Sequence, residues 1–130
     1  MSKRILVVDD DAAIQSLLQD LLEEEAYEVD VAWDGLHAWN KLMTTAEMYD
    51  VIVLDLQMPR MDGLRLIQLL RRLRDTLLCS ILVLSSDRDA IQQAISMGIC
   101  HALVKPFDLD AVLAQISCCL GERGCNASAS

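Results

Sequence analysis

Five residues able to do chemistry close short apolar runs in this 130-residue sequence. Ile5-Leu-Val-Val8 ends on Asp9-Asp10, Val51-Ile-Val-Leu54 on Asp55, Ile81-Leu-Val-Leu84 on Ser85 and Ala102-Leu-Val104 on Lys105. A further run, Glu28 to Ala32, ends in Ala32-Trp33 and offers nothing reactive. Crowded carboxylates resist simultaneous ionisation unless a cation shares their site. Hard carboxylate oxygens with room for water suit Mg²⁺, which takes octahedral geometry and keeps several waters. A cation there neutralises an incoming phosphoryl group, and phosphoryl transfer needs little beyond an in-line nucleophile and charge stabilisation. A carboxylate nucleophile yields an acyl phosphate that water can remove. Lys105 would add positive charge on the far side, and Ser85 a donor to a phosphoryl oxygen.

Each residue also has a plainer use. An aspartate after a strand is often a turn or a helix cap. Asp9-Asp10-Asp11 could cap the first helix and favour its dipole, and Asp11 reads as doing only that. A single Lys105 is ordinarily solvated, and a single Ser85 ordinarily ends a strand. Their coincidence at separate strand ends argues for joint use.

The side chains can meet only if the runs lie side by side. Between the runs, apolar residues recur at helical spacing: 14, 17, 18, 21 and 22; Leu36, Trp39 and Leu42; Leu66, Leu69, Leu70 and Leu73. A helix from Asp87 to Met97 is closed by Gly98, and Asp108 caps a last helix with Leu109, Val112, Leu113 and Ile116 inward. Five strands alternating with helices imply an α/β domain: a parallel sheet, right-handed crossovers, helices on both faces. Ligands of such sheets bind beyond the carboxyl ends of the strands, where the five residues stand. The domain is expected over residues 1–120. Residues 121–130, rich in Gly, Ala and Ser, read as a flexible tail or the start of a linker.

Hydrophobic residues make up 53% and aromatics only 4%, so the core is aliphatic. The net charge of −9 (20 acidic against 11 basic side chains) disfavours direct contact with nucleic acid or an anionic membrane. No run approaches the roughly 20 apolar residues of a membrane span, and the first apolar run is too short for a signal peptide. A cytoplasmic location is expected. The five cysteines (Cys79, Cys100, Cys118, Cys119, Cys125) show neither a CxxC pair nor metal-ligand spacing, and read as small buried hydrophobes in a reducing compartment.

Ile5-Leu-Val-Val-Asp-Asp10, Val53-Leu-Asp55-Leu-Gln-Met-Pro59 with Met61-Asp-Gly63, Leu84-Ser-Ser86 and Val104-Lys-Pro-Phe107 resemble, in order, the four signatures of response-regulator receiver domains. The resemblance runs from about residue 3 to 120. It implies a flavodoxin-like (βα)5 fold with strand order 2-1-3-4-5. It also implies Mg²⁺-dependent phosphoryl transfer to Asp55 from a sensor histidine kinase or a histidine phosphotransfer protein. Asp10, Asp55 and the backbone carbonyl of Gln57 would ligate the Mg²⁺, with Asp9 contributing through a metal-bound water. Lys105 would contact the phosphoryl group, across a cis bond to Pro106. Gln57 and Asp87 would tune the access of water to the acyl phosphate. The chain would then be no enzyme beyond its own phosphorylation and dephosphorylation. It would act as a monomer or weak dimer on an output that the sequence does not name.

The sequence departs from the family pattern at Ala102, where an aromatic residue usually reports the movement of the hydroxyl residue. His101 precedes it, but strand alternation turns neighbours to opposite faces, and His101 reads as a surface residue. Without the aromatic, the signal must pass through the backbone near Ser85 and the helix after Asp87. Ser85 and Ser86 stand where Thr and Ala are common. A phosphohydrolase with an aspartyl-phosphate intermediate would want an acid two residues after Asp55, where Gln57 stands. A phosphate-independent interaction module on the same fold is the alternative that Ala102 supports.

Overall fold

The computed structural model describes residues 2–44, 49–58, 62–73 and 75–121. Pro59 and Met61 of the second signature, Cys125 and residues 122–130 of the expected tail lie outside the described residues. Strands β1 (Arg4–Val8), β2 (Glu28–Ala32), β3 (Val51–Asp55), β4 (Ile81–Ser85) and β5 (His101–Val104) form one parallel sheet in the order β2-β1-β3-β4-β5. Helices α1 (Ala12–Glu24), α2 (Gly35–Thr44), α3 (Gly63–Leu73), α4 (Arg88–Ser96) and α5 (Leu109–Cys119) connect or follow them. A 3₁₀ segment, Asp75–Ser80, leads into β4.

The central strands β3 and β4 are buried at every position, as uninterrupted Val, Ile and Leu require when both faces are covered. Alternation along each strand divides the core in two. Ile5, Val7, Val53, Leu82 and Leu84 pack against Leu18 and Leu22 of α1 and Val112 and Ile116 of α5. Leu6, Val8, Ile52, Leu54 and Val83 pack against α2, α3 and α4 through Ala38, Leu66, Ile67, Leu70, Ile91 and Ala94. Aspartates start all five helices: Asp11, Asp34, Asp62, Asp87 and Asp108 each accept a backbone N–H of the first turn. Gly98, at φ +115, ends α4 in a conformation that disfavours a side chain.

Two expectations need correction. His101 is buried, 7% exposed, because its face of β5 is covered by α5, where its Nδ1 lies 3.1 Å from Gln115 Oε1. Cys79 and Cys100 are exposed and Cys119 half-buried, since they sit at element ends rather than on inward faces; Cys118 is disulfide-bonded. The 3₁₀ segment before β4 has no counterpart in the hydrophobic pattern.

Candidate functional site

The carboxyl ends of β1, β3, β4 and β5 meet because the four strands are parallel neighbours in nearly common register, with Val8 opposite Leu54, Asp55 opposite Leu84 and Ser85 opposite Val104. Asp9, Asp10 and Asp55 each bring a carboxylate oxygen to within 4.8 Å of the other two. Asp9 and Asp55 are buried, whereas Asp10 is exposed. Lys105 closes the site from β5, its Nζ 3.3 Å from Asp55 Oδ2 and 3.6 Å from Asp9 Oδ2. The Lys105-Pro106 bond is cis.

The two buried carboxylates each have one oxygen held by a backbone N–H. Asp55 Oδ1 accepts the N–H of Gln57 at 3.0 Å, which leaves Oδ2 facing Lys105. Asp9 Oδ1 accepts the N–H of Asp11 at 2.8 Å, while its buried Oδ2 receives no hydrogen bond. Burial first, then the neighbouring Asp55 charge, pushes the Asp9 carboxyl up to about 6, against the opposing pull of the Asp11 N–H and Lys105. Desolvation combined with a like charge is the condition that a hard divalent cation relieves. The set of three oxygen donors therefore fits Mg²⁺.

The remaining expected residues surround this centre. Ser85 is fully buried, and its Oγ accepts the N–H of Asp87 at 3.0 Å. Asp87 in turn caps α4 through Asp89 and Ala90. The Gln57 side chain accepts a hydrogen bond from Ser86 Oγ at 3.3 Å. Gln57, Asp10 and Asp87 share a groove of about 420 Å³ with Leu56, Met58, Asp62, Leu64 and Ala90. Ala102 lies half-buried on the α2–α4 side, away from the carboxylates. Residue types at strand ends did not disclose Gln15. From α1, its Nε2 donates to the carbonyls of Asp9 and Ala32 at 3.0 and 3.1 Å, tying the ends of β1 and β2.

A second feature borders Lys105. Ile14 and Leu17 of α1, with Ser86, Lys105, Pro106 and Phe107, line an apolar groove of about 410 Å³, and Leu17 is 46% exposed.

The response regulator receiver domain profile matches residues 5–117. Response regulator MprA of Mycobacterium bovis is 40% identical over 119 residues, 89% of this chain and 50% of that protein, so the chain spans about half the length of this relative. Sporulation initiation phosphotransferase F of Bacillus subtilis is 30% identical over 112 residues, covering 86% of this chain and 89% of that protein. The solved structure of chemotaxis response regulator CheY4 of Vibrio cholerae matches with a TM-score of 0.81 at 28% identity, over 92% of this chain and all of that one.

Proposed function

The chain belongs to the response regulator receiver domain family, and from that membership we propose that Asp55 accepts a phosphoryl group from a phosphohistidine donor in a Mg²⁺-dependent step that switches an output. The observation that carries the reading is the open side of the site. Asp9 Oδ2 is buried and unbonded, while Lys105 Nζ stands 3.3 Å from Asp55 Oδ2. Asp9, Asp10 and Asp55 would hold Mg²⁺, with the Gln57 carbonyl as a further ligand. Bound there, the ion supplies positive charge for the oxygens of the transferring group.

Asp55 forms the new bond to phosphorus as the phosphorus–nitrogen bond of the donor breaks, and the electron pair leaves on the imidazole. The Gln57 N–H keeps the Asp55 carboxylate from rotating. Lys105 pairs with the phosphoryl oxygens that arrive beside Oδ2, and the Ser85 hydroxyl donates to another of them. Gln57 and Asp87, on the rim of the groove, set how readily water approaches the acyl phosphate. The apolar groove around Leu17 and Phe107 suits the helix of a kinase or phosphotransfer protein carrying the phosphohistidine. We place the chain in the cytoplasm, as a monomer or weak dimer. No helix among the described residues is long and apolar enough to cross a membrane.

The test is intact-mass analysis after incubation with Mg²⁺ and a small acyl phosphate. The wild type should gain one phosphoryl mass, and neither Asp55→Asn nor a chelator-treated sample should. An adduct that persists in Asp55→Asn would overturn the assignment.

A further inference from the structure

Basic side chains are unevenly placed in this acidic chain. Five of the eleven, Arg60, Arg65, Arg71, Arg72 and Arg74, fall between residues 60 and 74, where Asp62 is the one acid. Arg65, Arg71 and Arg72 stand exposed on α3. With Gln68, Leu69 and, at the end of α4, Met97, they line a groove of about 580 Å³. It shares no residue with the groove of Asp10, Gln57 and Asp87. Helix electrostatics explain part of the cluster, since Arg71 and Arg72 occupy the last turn of α3, at the negative end of its dipole. Arg65 occupies the first turn, where a cation is disfavoured, yet it lines the same groove. No carboxylate among the described residues pairs with any of the three, whereas Arg4 and Lys105 are both ion-paired. Arg65 Nη1 donates only to Gln68 Oε1, at 3.3 Å. Between the charges the groove is apolar: Leu69 and Met97 are half-buried, and Leu73 and Ile95 stay exposed toward the ends of the two helices.

We propose that this α3–α4 groove docks an amphipathic helix of a partner protein, with Asp and Glu along the edges of its apolar stripe. Guanidinium groups match carboxylates in a planar, two-pronged geometry, and unpaired ones stand ready to do so. The apolar stripe seats on Leu69 and Met97, and an unbranched thioether adapts to the side chains it meets. A nucleic acid offers anions too, but its backbone has no apolar stripe for Leu69, Met97 and Leu73. A duplex also extends past the groove onto the acidic remainder of the chain, which repels it. At physiological salt, charges beyond about 8 Å are largely screened, so the local arginines outweigh the net −9 for a ligand seated between them. Docking here needs no phosphate on Asp55 and stands apart from the phosphoryl-transfer reading.

The experiment titrates the full, unphosphorylated chain into a fluorescein-labelled synthetic helix with a Leu stripe flanked by Glu, and follows anisotropy. Saturable binding that weakens as salt rises is expected. Arg71→Glu with Arg72→Glu should weaken it about tenfold or more, since each attraction becomes a repulsion. Arg65→Glu should weaken it too. That variant places an acid in the first turn of α3, where the dipole favours one, so it should keep the wild-type circular dichroism spectrum and melting temperature. A peptide of the same composition with its Leu stripe scrambled should bind clearly more weakly. Absence of binding, equal binding by the arginine variants, or equal binding of the scrambled peptide would each overturn the proposal. Tighter binding of a labelled DNA oligonucleotide would also overturn it, and would mark the face as a nucleic-acid surface.

Discussion

A buried carboxylate oxygen without a donor loses its hydration and gains nothing in return, and Asp9 Oδ2 is such an atom. Lys105 at 3.6 Å offsets part of that cost, but the same ammonium is shared with Asp55. Without divalent cation, Asp9→Asn should therefore stabilise the domain by about 1–3 kcal/mol, since an amide removes the charge and can donate to Asp55. With saturating Mg²⁺ the order should reverse, because wild type gains binding energy that the variant lacks. Thermal denaturation with and without Mg²⁺ decides the matter, and an unchanged difference between the two proteins would refute the cation site. Sequence reasoning could bring Asp9, Asp10 and Asp55 to one edge because strand ends are legible in apolar runs. It could not say which oxygen stands alone, or that Gln15 ties β1 to β2. Both depend on how closely α1 approaches the sheet.

The start of α3 packs closely against the backbone that follows β3. A Cβ built on Gly63 would lie 2.6 Å from Leu56 Cα and 2.8 Å from the Asp55 carbonyl oxygen, both backbone atoms that cannot swing aside. Gly63→Ala should cost at least about 1–3 kcal/mol of stability and slow phosphorylation by displacing Asp55. Urea midpoints and labelling rates read both, and a variant matching wild type in each would exclude the close packing. A second junction joins β1, β2 and the segment before β3, where Asp30 accepts from Tyr49 Oη at 2.6 Å and from Arg4 at 3.0 Å. The tyrosine hydrogen bond first, then Arg4, holds the Asp30 carboxyl below its usual range. A depressed carboxyl contributes stability above its unfolded pKa and loses it as pH falls through the folded one. Asp30→Asn should thus cost on the order of 1 kcal/mol near neutral pH, a figure kept small by partial exposure, and progressively less below about pH 4. A pH-independent penalty in denaturant titrations would contradict it. The parallel sheet and the helix caps were legible because strand–helix alternation has few solutions and aspartate caps have a local chemistry, while the strand order came with the family resemblance. The 3₁₀ segment, buried His101 and exposed Cys79 and Cys100 were not, because each depends on which element covers the position rather than on sequence period.

Across the whole molecule, the question is how an event at Asp55 reaches the surface when Ala102 has no ring to move. The described contacts contain one direct route. Ser85 Oγ accepts the N–H of Asp87, and Asp87 caps α4. A serine side chain that rotates to donate to a phosphoryl oxygen would withdraw its oxygen from that N–H, so phosphorylation should loosen the first turn of α4 without any aromatic switch. One such hydrogen bond contributes about 0.5–1.5 kcal/mol, which corresponds to amide exchange up to about tenfold faster at the start of α4. Hydrogen–deuterium exchange on fully phosphorylated protein should show this acceleration over Asp87 to Ile91 while β3 and β4 stay protected. Ser85→Ala should still take phosphate on Asp55 but show the same α4 exchange in both states. If α4 exchange in wild type is indifferent to phosphate, the hydrogen-bond route fails. If partner binding is equally indifferent to Asp55→Asn, the chain acts instead as a phosphate-independent module on this fold.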